Sequence, residues 1–321
     1  MPATLTPSMN RSRRRGSRRS MRRIAAAILL WQCAAPLTAG ASADRFCAMR
    51  RELQDYVADK DARIGIAVII DGRDTVAVNG HMPLPMLSVY KYPQALAVAD
   101  RCLASSTGVA DTIAVSPTLI KENTWSPMRD RYGVDSLRLP LSELLAYTLQ
   151  LSDNNACDAL FDMIGGPQTV DSLMRATGHG AITVRSTEDE MHRDLSLCYA
   201  NTSTAIEMAR LFDRFYRRGM LHLSPVYEAI GSLMLTCDTG LNRLPAPLAS
   251  TTARIAHKTG TGDVNADGRI IAVNDAGYVF LPDGRGYAIA VFISDSARGM
   301  KETEQMIADI SAIIYTNLTQ P

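Results

Sequence analysis

The sequence predicts an α/β protein of the α+β type, with a mostly antiparallel five-stranded sheet flanked by helices and an all-helical domain inserted into it. Two strand-like runs, 64–70 and 75–78, are separated by Asp71-Gly72 and predict a hairpin. A long stretch with helical periodicity follows. After it come three more strand-like runs, at 254–258, 270–281 and 287–294. The two ends of the mature chain should therefore share one sheet.

The 321 residues divide into a leader and two predicted domains. Residues 44–103 and 237–321 form the predicted sheet domain, which starts with an amphipathic helix over 44–60 and ends with a helix over 300–318. Residues 104–236 form the predicted helical domain. Its strongest helical patterns lie at 141–150, 155–164, 168–177, 203–218 and 225–235.

The first 43 residues have the pattern of a secretory signal peptide. Eight arginines and no acidic residue occur in this segment. The apolar run at 24–31 is too short for a permanent membrane anchor, and Ala41-Ser42-Ala43 has the small-x-small form of a cleavage site. We therefore expect export to the periplasm without a stable membrane anchor. The Arg18-Arg19 pair also fits twin-arginine export.

The mature chain offers no signal for nucleic acid or metal binding. Removal of the eight leader arginines changes the formal net charge from +1 to −7, which leaves no basic patch. No histidine pair has metal-ligand spacing. An odd number of cysteines remains, so at least one thiol should be free or pair between chains. The cysteines of the mature chain are Cys47, Cys102, Cys157, Cys198 and Cys237.

A serine and a lysine, Ser88 and Lys91, stand three residues apart at the start of an apolar helical pattern. Residues at this spacing share a face of a helix, so the hydroxyl and the ammonium can point into the same space. The next charge along the pattern is Asp100, so we expect Lys91 to be buried. Burial of an ammonium favours its neutral form, which can accept a proton from a nearby hydroxyl. The pair therefore fits an activated nucleophile, although an S-x-x-K pair alone is more often an ordinary surface feature.

Two further polar motifs follow. Ser152-Asp153-Asn154 comes after an apolar helix and taken alone also fits an ordinary helix N-cap. Lys258-Thr259-Gly260-Thr261 ends the first strand after the helical stretch. Its ammonium and hydroxyls suit an anionic carboxylate, and its glycine would let a substrate approach the backbone closely. Only five lysines occur in the chain, and two of them, Lys91 and Lys258, lie within the three motifs.

The order S-x-x-K, S-D-N and K-T-G is typical of the penicillin-recognising serine enzymes. On these motifs the sequence resembles the class A serine β-lactamases from about Asp44 to Leu318. The resemblance implies the fold of the β-lactamases and transpeptidases, a small-molecule β-lactam substrate and no cofactor. We also expect a monomer.

The resemblance also implies an omega loop at about 185–202. Within it, Glu188 matches the carboxylate that activates the deacylating water. His192 stands four residues later, where common class A enzymes carry Asn, and this favours the divergent branch of the PER and VEB enzymes. Asp158 fits the same branch. Common members tie the loop with an Arg–Asp ion pair, but Ser186 and Asn201 occupy those places here, so the loop must be held in another way.

The roles implied by the resemblance are as follows. Ser88 is the nucleophile, and Lys91 and Glu188 share the role of base. The backbone N–H groups of Ser88 and Thr261 form the oxyanion hole. The remaining substrate contacts come from a set of side chains around the cleft: Ser152 as proton donor to the leaving nitrogen, Asn154 on a substrate carbonyl, Lys258, Thr259 and Thr261 on the carboxylate, and Trp125 and His192 at the rim.

Two other functions stay open at this point. A cell-wall D,D-peptidase uses the same three motifs but lacks a dedicated deacylating glutamate, so Glu188 argues against it. A non-hydrolytic β-lactam sensor would be acylated and stop there. Such a sensor would need a membrane segment, whereas only a cleavable leader is predicted.

Overall fold

The centre of the fold is a five-stranded sheet in which every neighbouring pair of strands is antiparallel. The N-terminal hairpin supplies two strands and the C-terminal part of the chain supplies three. Their bounds are β1 (Arg63–Ile70), β2 (Asp74–Val78), β7 (Arg254–Thr261), β8 (Ile270–Phe280) and β9 (Gly286–Ser296). In the sheet they lie in the order β2-β1-β9-β8-β7. The predicted fold class is therefore confirmed.

The computed structural model describes residues 37–319, with side chains described from residue 44 onward. The predicted signal peptide thus lies outside the described residues, except for the backbone of 37–43. That backbone belongs to helix α1 (Leu37–Val57), which starts earlier than the predicted helix over 44–60. Residues Arg45–Pro321 form one compact unit, so the predicted division into two domains stays a prediction.

Both faces of the sheet are covered by helices. Side chains alternate between the faces of a strand, and in β1 this places Ile66 and Val68 in one core cluster and Ala67 in another. The first cluster is completed by α1 and by α10 (Met300–Thr319). The second is completed by helices from the middle of the chain. Because both faces are buried, β1 is a nearly continuous apolar run.

The middle of the chain is mainly helical, as predicted. Its helices are α2 (Lys91–Ser105), α3 (Pro127–Tyr132), α4 (Leu141–Gln150), α5 (Asn154–Ile164), α6 (Pro167–Ala176), α7 (Glu188–Arg193), α8 (Ala205–Arg217) and α9 (Pro225–Met234). It is not purely helical, however. Strands β4 (Thr112–Val115) and β5 (Leu137–Pro140) pair with each other, and β3 (Leu84–Pro85) pairs with β6 (Thr202–Ser203). Runs this short carry little sequence periodicity, which is why the sequence did not predict them.

Helix α7 lies within the segment 185–202 that is predicted to be an omega loop. Thr187 accepts a hydrogen bond from the backbone N–H of Glu190 at 3.2 Å, and Glu190 accepts one from the N–H of Thr187 at 2.9 Å. This reciprocal pair is a capping box. Its signature, Thr-x-x-Glu, is readable in the sequence, and it fixes Glu188 as the first residue of the helix.

Three negative observations apply to the part of the chain that the structure describes. No helix there has both the length and the apolar character needed to cross a membrane. No cluster of three potential metal ligands is found there. Each of the five cysteines of the predicted mature chain is a free thiol, with Cys47 exposed and the other four buried.

Candidate active site

Ser88 lies in a 3₁₀ turn, Leu87–Tyr90, and α2 begins only at Lys91. The prediction that Ser88 opens the α-helix is therefore off by one turn. Leu87 has a φ of +46°, a left-handed conformation that a leucine adopts at a cost of about 1–2 kcal/mol. The turn is held from the sheet by Asn274, whose side-chain amide donates to the carbonyl oxygens of Pro85 and Met86 at 2.8 and 2.9 Å.

Lys91 is fully buried, as predicted, and its ammonium lies among three acceptors. It donates to the carbonyl oxygen of Ser152 at 2.7 Å and to Oδ1 of Asn154 at 2.7 Å. Oε1 of Glu188 lies 3.0 Å from Nζ. Three acceptors match the three donors of an ammonium. The lysine thus joins three segments that are far apart in the sequence.

The side chains of Glu188 and Ser88 are in direct contact. The Ser88 hydroxyl donates to Oε1 of Glu188 at 3.3 Å, and the glutamate is only 9% exposed. The sequence offered three adjacent carboxylates, at 188, 189 and 190, and the structure directs Glu188 toward the serine. Among the described residues, the hydrogen bond of the Ser88 hydroxyl goes to Glu188 and not to Lys91.

Asp158 of α5 fixes the first turn of α7. Its two carboxylate oxygens accept the backbone N–H groups of Glu188 and Asp189, both at 2.9 Å. Burial, followed by the charge of Glu188, raises the pKa of Asp158 to about 7, against the opposing effect of these two donors. The sequence resemblance singled out Asp158 but gave it no role. The structure shows that it anchors the helix that presents Glu188.

Asn201 holds the other side of the same segment. Its Oδ1 accepts the backbone N–H groups of Arg185 and Ser186 at 2.7 and 2.9 Å, and its Nδ2 donates to the carbonyl oxygen of Ser186 at 2.8 Å. The side chain is fully buried. These bonds explain how the loop is held without the Arg–Asp ion pair. The amide of Asn201 binds the backbone groups of Arg185 and Ser186 in its place.

The Ser152 hydroxyl faces a second buried lysine, Lys258. The ammonium of Lys258 donates to Oγ of Ser152 at 2.9 Å and to the carbonyl oxygen of Thr259 at 3.0 Å. Burial lowers the pKa of Lys258 to about 8. Ser152 has a φ of +56°, so this turn, like the one at Leu87, is held in a left-handed conformation. Backbone strain of this kind occurs often at functional sites.

The rest of the S-D-N turn is tied to the cleft rim. Nδ2 of Asn154 donates to Oγ1 of Thr124 at 2.7 Å, and the buried carboxylate of Asp153 caps α5. Trp125 is 61% exposed, and its indole N–H donates to the carbonyl oxygen of Leu151 at 2.8 Å. Trp125 therefore stands beside the turn that carries Ser152, with a large apolar surface open to solvent.

Gly260 brings strand β7 against the serine turn. A Cβ atom at this position would collide with the carbonyl oxygen of Met86 and would lie 3.2 Å from the backbone nitrogen of Ser88. The sequence predicted that this glycine makes room for a substrate. The structure gives it a different role, because the space is needed by the chain's own backbone. The next residue, Thr261, is thereby held beside Ser88.

The hydroxyls of the K-T-G-T segment have protein partners. Oγ1 of Thr259 lies 2.6 Å from Oγ1 of Thr239. Oγ1 of Thr261 accepts a hydrogen bond from Arg243 at 2.7 Å, and this arginine is itself buried and paired with Glu304 at 2.9 Å. Sequence reasoning missed Arg243, since no motif surrounds it and only the fold brings it to β7.

His192 is the predicted site residue that the structure does not connect to the others. It is exposed in the last turn of α7. Within residues 44–319 its ring makes no hydrogen bond to Ser88, Glu188 or Lys258. A contact with substrate at the rim stays a prediction.

Comparisons with known proteins cover nearly the whole of this structure. A model described as "Beta-lactamase enzyme family" matches residues 48–318. Beta-lactamase VEB-1 of Pseudomonas aeruginosa is 32% identical over 266 residues, which are 82% of this chain and 88% of that protein. Extended-spectrum beta-lactamase PER-1 of the same organism is 32% identical over 269 residues, 83% of this chain and 86% of that protein. The crystal structure of TLA-3 extended-spectrum beta-lactamase has a TM-score of 0.82 and 34% identity, covering 86% of this chain and 100% of that one.

Replacing Gly260 with alanine should separate β7 from the serine turn. The added methyl group has no free space, so we expect a loss of about 1–3 kcal/mol in the free energy of unfolding, measured by denaturant titration. Gly180→Ala is the matched control, because a Cβ there meets no atom within 4 Å and the backbone is not left-handed. Equal stability of the two variants would contradict the close approach.

Removing the Asn201 side chain should loosen the segment that presents Glu188. Asn201→Ala leaves two N–H groups and one carbonyl without partners, at a cost of about 1–3 kcal/mol for each buried group left unsatisfied. We expect faster amide hydrogen exchange across residues 185–193, measured by mass spectrometry. Asn242→Ala, which removes an exposed amide, is the control. Unchanged exchange in Asn201→Ala would show that other contacts hold the segment.

Proposed function

Because this chain belongs to the β-lactamase enzyme family, we propose that it opens the cyclic amide of β-lactams through an acyl-enzyme formed on Ser88. The resemblance to class A enzymes of the PER and VEB branch is confirmed by relatives and solved structures at 32–34% identity. The observation that carries the mechanism is the hydrogen bond from Ser88 to Glu188 at 3.3 Å, in a site that also holds Lys91. Hydroxyl, carboxylate and ammonium together meet the needs of an activated serine.

Acylation begins with loss of the Ser88 proton. Glu188 and Lys91 share the role of base for this proton, through the contact of 3.0 Å between Oε1 and Nζ. Oγ then attacks the lactam carbonyl, and the backbone N–H groups of Ser88 and Thr261 bind the oxyanion. When the carbon–nitrogen bond breaks, Ser152 donates a proton to the nitrogen. Lys258, which donates to Oγ of Ser152 at 2.9 Å, resupplies that proton.

Substrate binding relies on the opposite charge of the β-lactam carboxylate. Lys258, Thr259 and Thr261 bind this group, and Arg243 holds the Thr261 hydroxyl in place. Asn154 holds the amide carbonyl of the substrate side chain, and Trp125 and His192 line the rim. No cofactor takes part in these steps.

Deacylation needs a general base close to the ester. After acylation, the pair of Glu188 and Lys91 gives up the Ser88 proton to solvent, and Lys258 takes up a proton from solvent, which restores the charges of the free enzyme. Glu188 then takes a proton from a water molecule. The resulting hydroxide attacks the acyl carbonyl, the bond to Oγ breaks, and Glu188 returns the proton to Oγ as the opened product leaves Ser88. A D,D-peptidase would lack this glutamate, and a β-lactam sensor would stop at the acyl-enzyme. The carboxylate of Glu188 beside Ser88 therefore favours hydrolysis over either alternative.

The proposed function includes the cellular location and the oligomeric state of the enzyme. The arginine-rich leader supports export to the periplasm. We propose that the mature enzyme acts there as a monomer. Size-exclusion chromatography with light scattering on the mature chain tests the oligomeric state.

Glu188→Gln should separate acylation from deacylation. The amide keeps the shape of the side chain but cannot accept a proton from water, whereas Lys91 can still accept the Ser88 proton. Turnover should therefore fall by about 10²–10⁴-fold while the acyl-enzyme accumulates. Product release from a chromogenic cephalosporin and intact-protein mass spectrometry measure the two effects. Asp189→Asn is the matched control, because it changes the adjacent carboxylate, which faces Lys121 and Arg193 instead.

Two outcomes would contradict this assignment. Wild-type product that stops at about one equivalent would indicate a sensor and not a hydrolase. Normal turnover in Glu188→Gln with a defect in Asp189→Asn would mean that the wrong carboxylate has been assigned.

Ser88→Ala should show no covalent labelling by a β-lactam in intact-protein mass spectrometry, because the nucleophile is missing.

Substrate affinity should depend on the charge of Lys258. A lysine attracts a carboxylate only below its pKa, and the pKa of Lys258 is lowered by burial to about 8. We therefore expect KM to rise as the pH increases through about 8, with a smaller change in kcat. Steady-state kinetics across this range measure the effect. A KM that stays constant well above this pH would contradict the role of Lys258.

A further inference from the structure

Three buried titratable side chains that the proposed reaction does not use lie together beside Lys258. They are Cys237, His257 and Asp275, which are 5%, 1% and 0% exposed. Asp275 belongs to β8 and His257 to β7, and Cys237 follows α9. Burying an ionisable group lowers the stability of the fold unless the group is paired. Three such groups next to the site therefore need an explanation.

The three side chains lie in one cluster around the imidazole of His257. Nδ1 of His257 lies 2.9 Å from Oδ1 of Asp275. The thiol of Cys237 is close enough to the imidazole for each group to shift the pKa of the other. Oδ2 of Asp275 accepts the backbone N–H of Leu244 at 3.2 Å, which fixes the carboxylate. A carboxylate that binds one ring nitrogen stabilises the imidazolium, which can in turn stabilise a thiolate.

The thiol also reaches the carboxylate-binding residues. Sγ of Cys237 lies 3.3 Å from Oγ1 of Thr239, and this oxygen lies 2.6 Å from Oγ1 of Thr259. His257 and Lys258 are adjacent in β7. The sulfur is thus coupled to Thr259 through one hydroxyl and to Lys258 through charge.

We propose that Cys237 is a positioning residue for substrate binding: as a thiolate paired with the His257 imidazolium, it keeps Lys258 charged and Thr259 oriented toward the substrate carboxylate. The proposal rests on the function proposed above. Neither the S-x-x-K, S-D-N and K-T-G motifs nor the loop of Glu188 includes this cysteine.

The electrostatics of the cluster agree with this charge distribution. Burial alone would raise the pKa of Cys237, but the His257 and Lys258 cations lower it to about 7. Burial alone would lower the pKa of His257, but Asp275 and Cys237 raise it to about 10. Above about pH 7 the cluster therefore holds two anions and one cation. By contrast, burial raises the pKa of Cys102, Cys157 and Cys198.

The effect on Lys258 has a definite sign. The groups that act on its ammonium are the anions Cys237, Asp275 and Glu188, which favour its charge, and the cation Lys91, which opposes it. Removal of the thiolate takes away one favourable charge. The pKa of Lys258 should then fall, and the rise in KM should begin at lower pH, by roughly one unit for a neighbouring charge.

The experiment compares Cys237→Ser, Cys237→Ala and Cys237→Asp in the full mature enzyme. KM and kcat for a penicillin are measured against pH, and the ultraviolet absorbance of the thiolate is titrated in parallel. We expect Ser and Ala to move the rise in KM about one pH unit lower, with kcat changed less than threefold. Asp, which restores a negative charge, should move the rise back. Cys102→Ser removes a buried thiol on α2 and should leave the profile as in wild type.

The absorbance arm does not require turnover, so it separates this proposal from the proposed function. We expect wild type to show a thiolate titrating near pH 7 that is missing in Cys237→Ser. An unchanged absorbance titration in Cys237→Ser would overturn the proposal even in an active enzyme. So would a KM profile in Cys237→Ser and Cys237→Ala that matches wild type. A lowered kcat with no shift of the profile, or no recovery in Cys237→Asp, would indicate a packing role and would also overturn it.

Discussion

The fully buried ammonium of Lys91 is the contact on which the rest of the site depends. It touches the carbonyl oxygen of Ser152, the amide of Asn154 and the carboxylate of Glu188 within 3.0 Å. A buried charge persists only where partners are in place, so each of these segments is constrained by the same atom. Removing one partner would leave the others facing an unsatisfied charge.

The turns on either side of the Lys91 ammonium have strained backbones that are held by hydrogen bonds. Leu87 and Ser152 both adopt left-handed backbone conformations, one before the nucleophile and one at the proton donor. Such conformations persist where surrounding bonds over-determine them. Here Asn274 holds the first turn, and Lys91 and Lys258 hold the second. These contacts hold the backbone of Leu87 and Ser152 in conformations that would otherwise be unfavourable.

Much of this could be predicted from the sequence, because the relevant signals are local. Strand runs at both ends and helical periodicity between them were sufficient for the fold class. The three motifs identified Ser88, Ser152 and Lys258. The apolar surroundings of Lys91 also predicted a buried lysine, which the structure confirms.

Other features depend on contacts between distant residues and leave little trace in one sequence. Arg243 reaches Thr261 only because the fold brings its loop to β7. Gly260 is needed by the backbone of Met86 and not by the substrate. Asp158 and Asn201 bind main-chain groups, which any residue provides, so no complementary side chain marks them. Helix α7 was the exception, since its Thr187–Glu190 capping box was readable.

Single-turnover kinetics of Lys91→Ala test the central contact most directly. If Lys91 holds both the Ser152 turn and Glu188, then acylation and deacylation should each slow by about 10²-fold or more. Rates are measured by mixing excess enzyme with a chromogenic cephalosporin and following the acyl-enzyme by rapid quench and mass spectrometry. A defect in acylation alone, with deacylation at the wild-type rate, would show that Lys91 serves only the serine and would contradict the account.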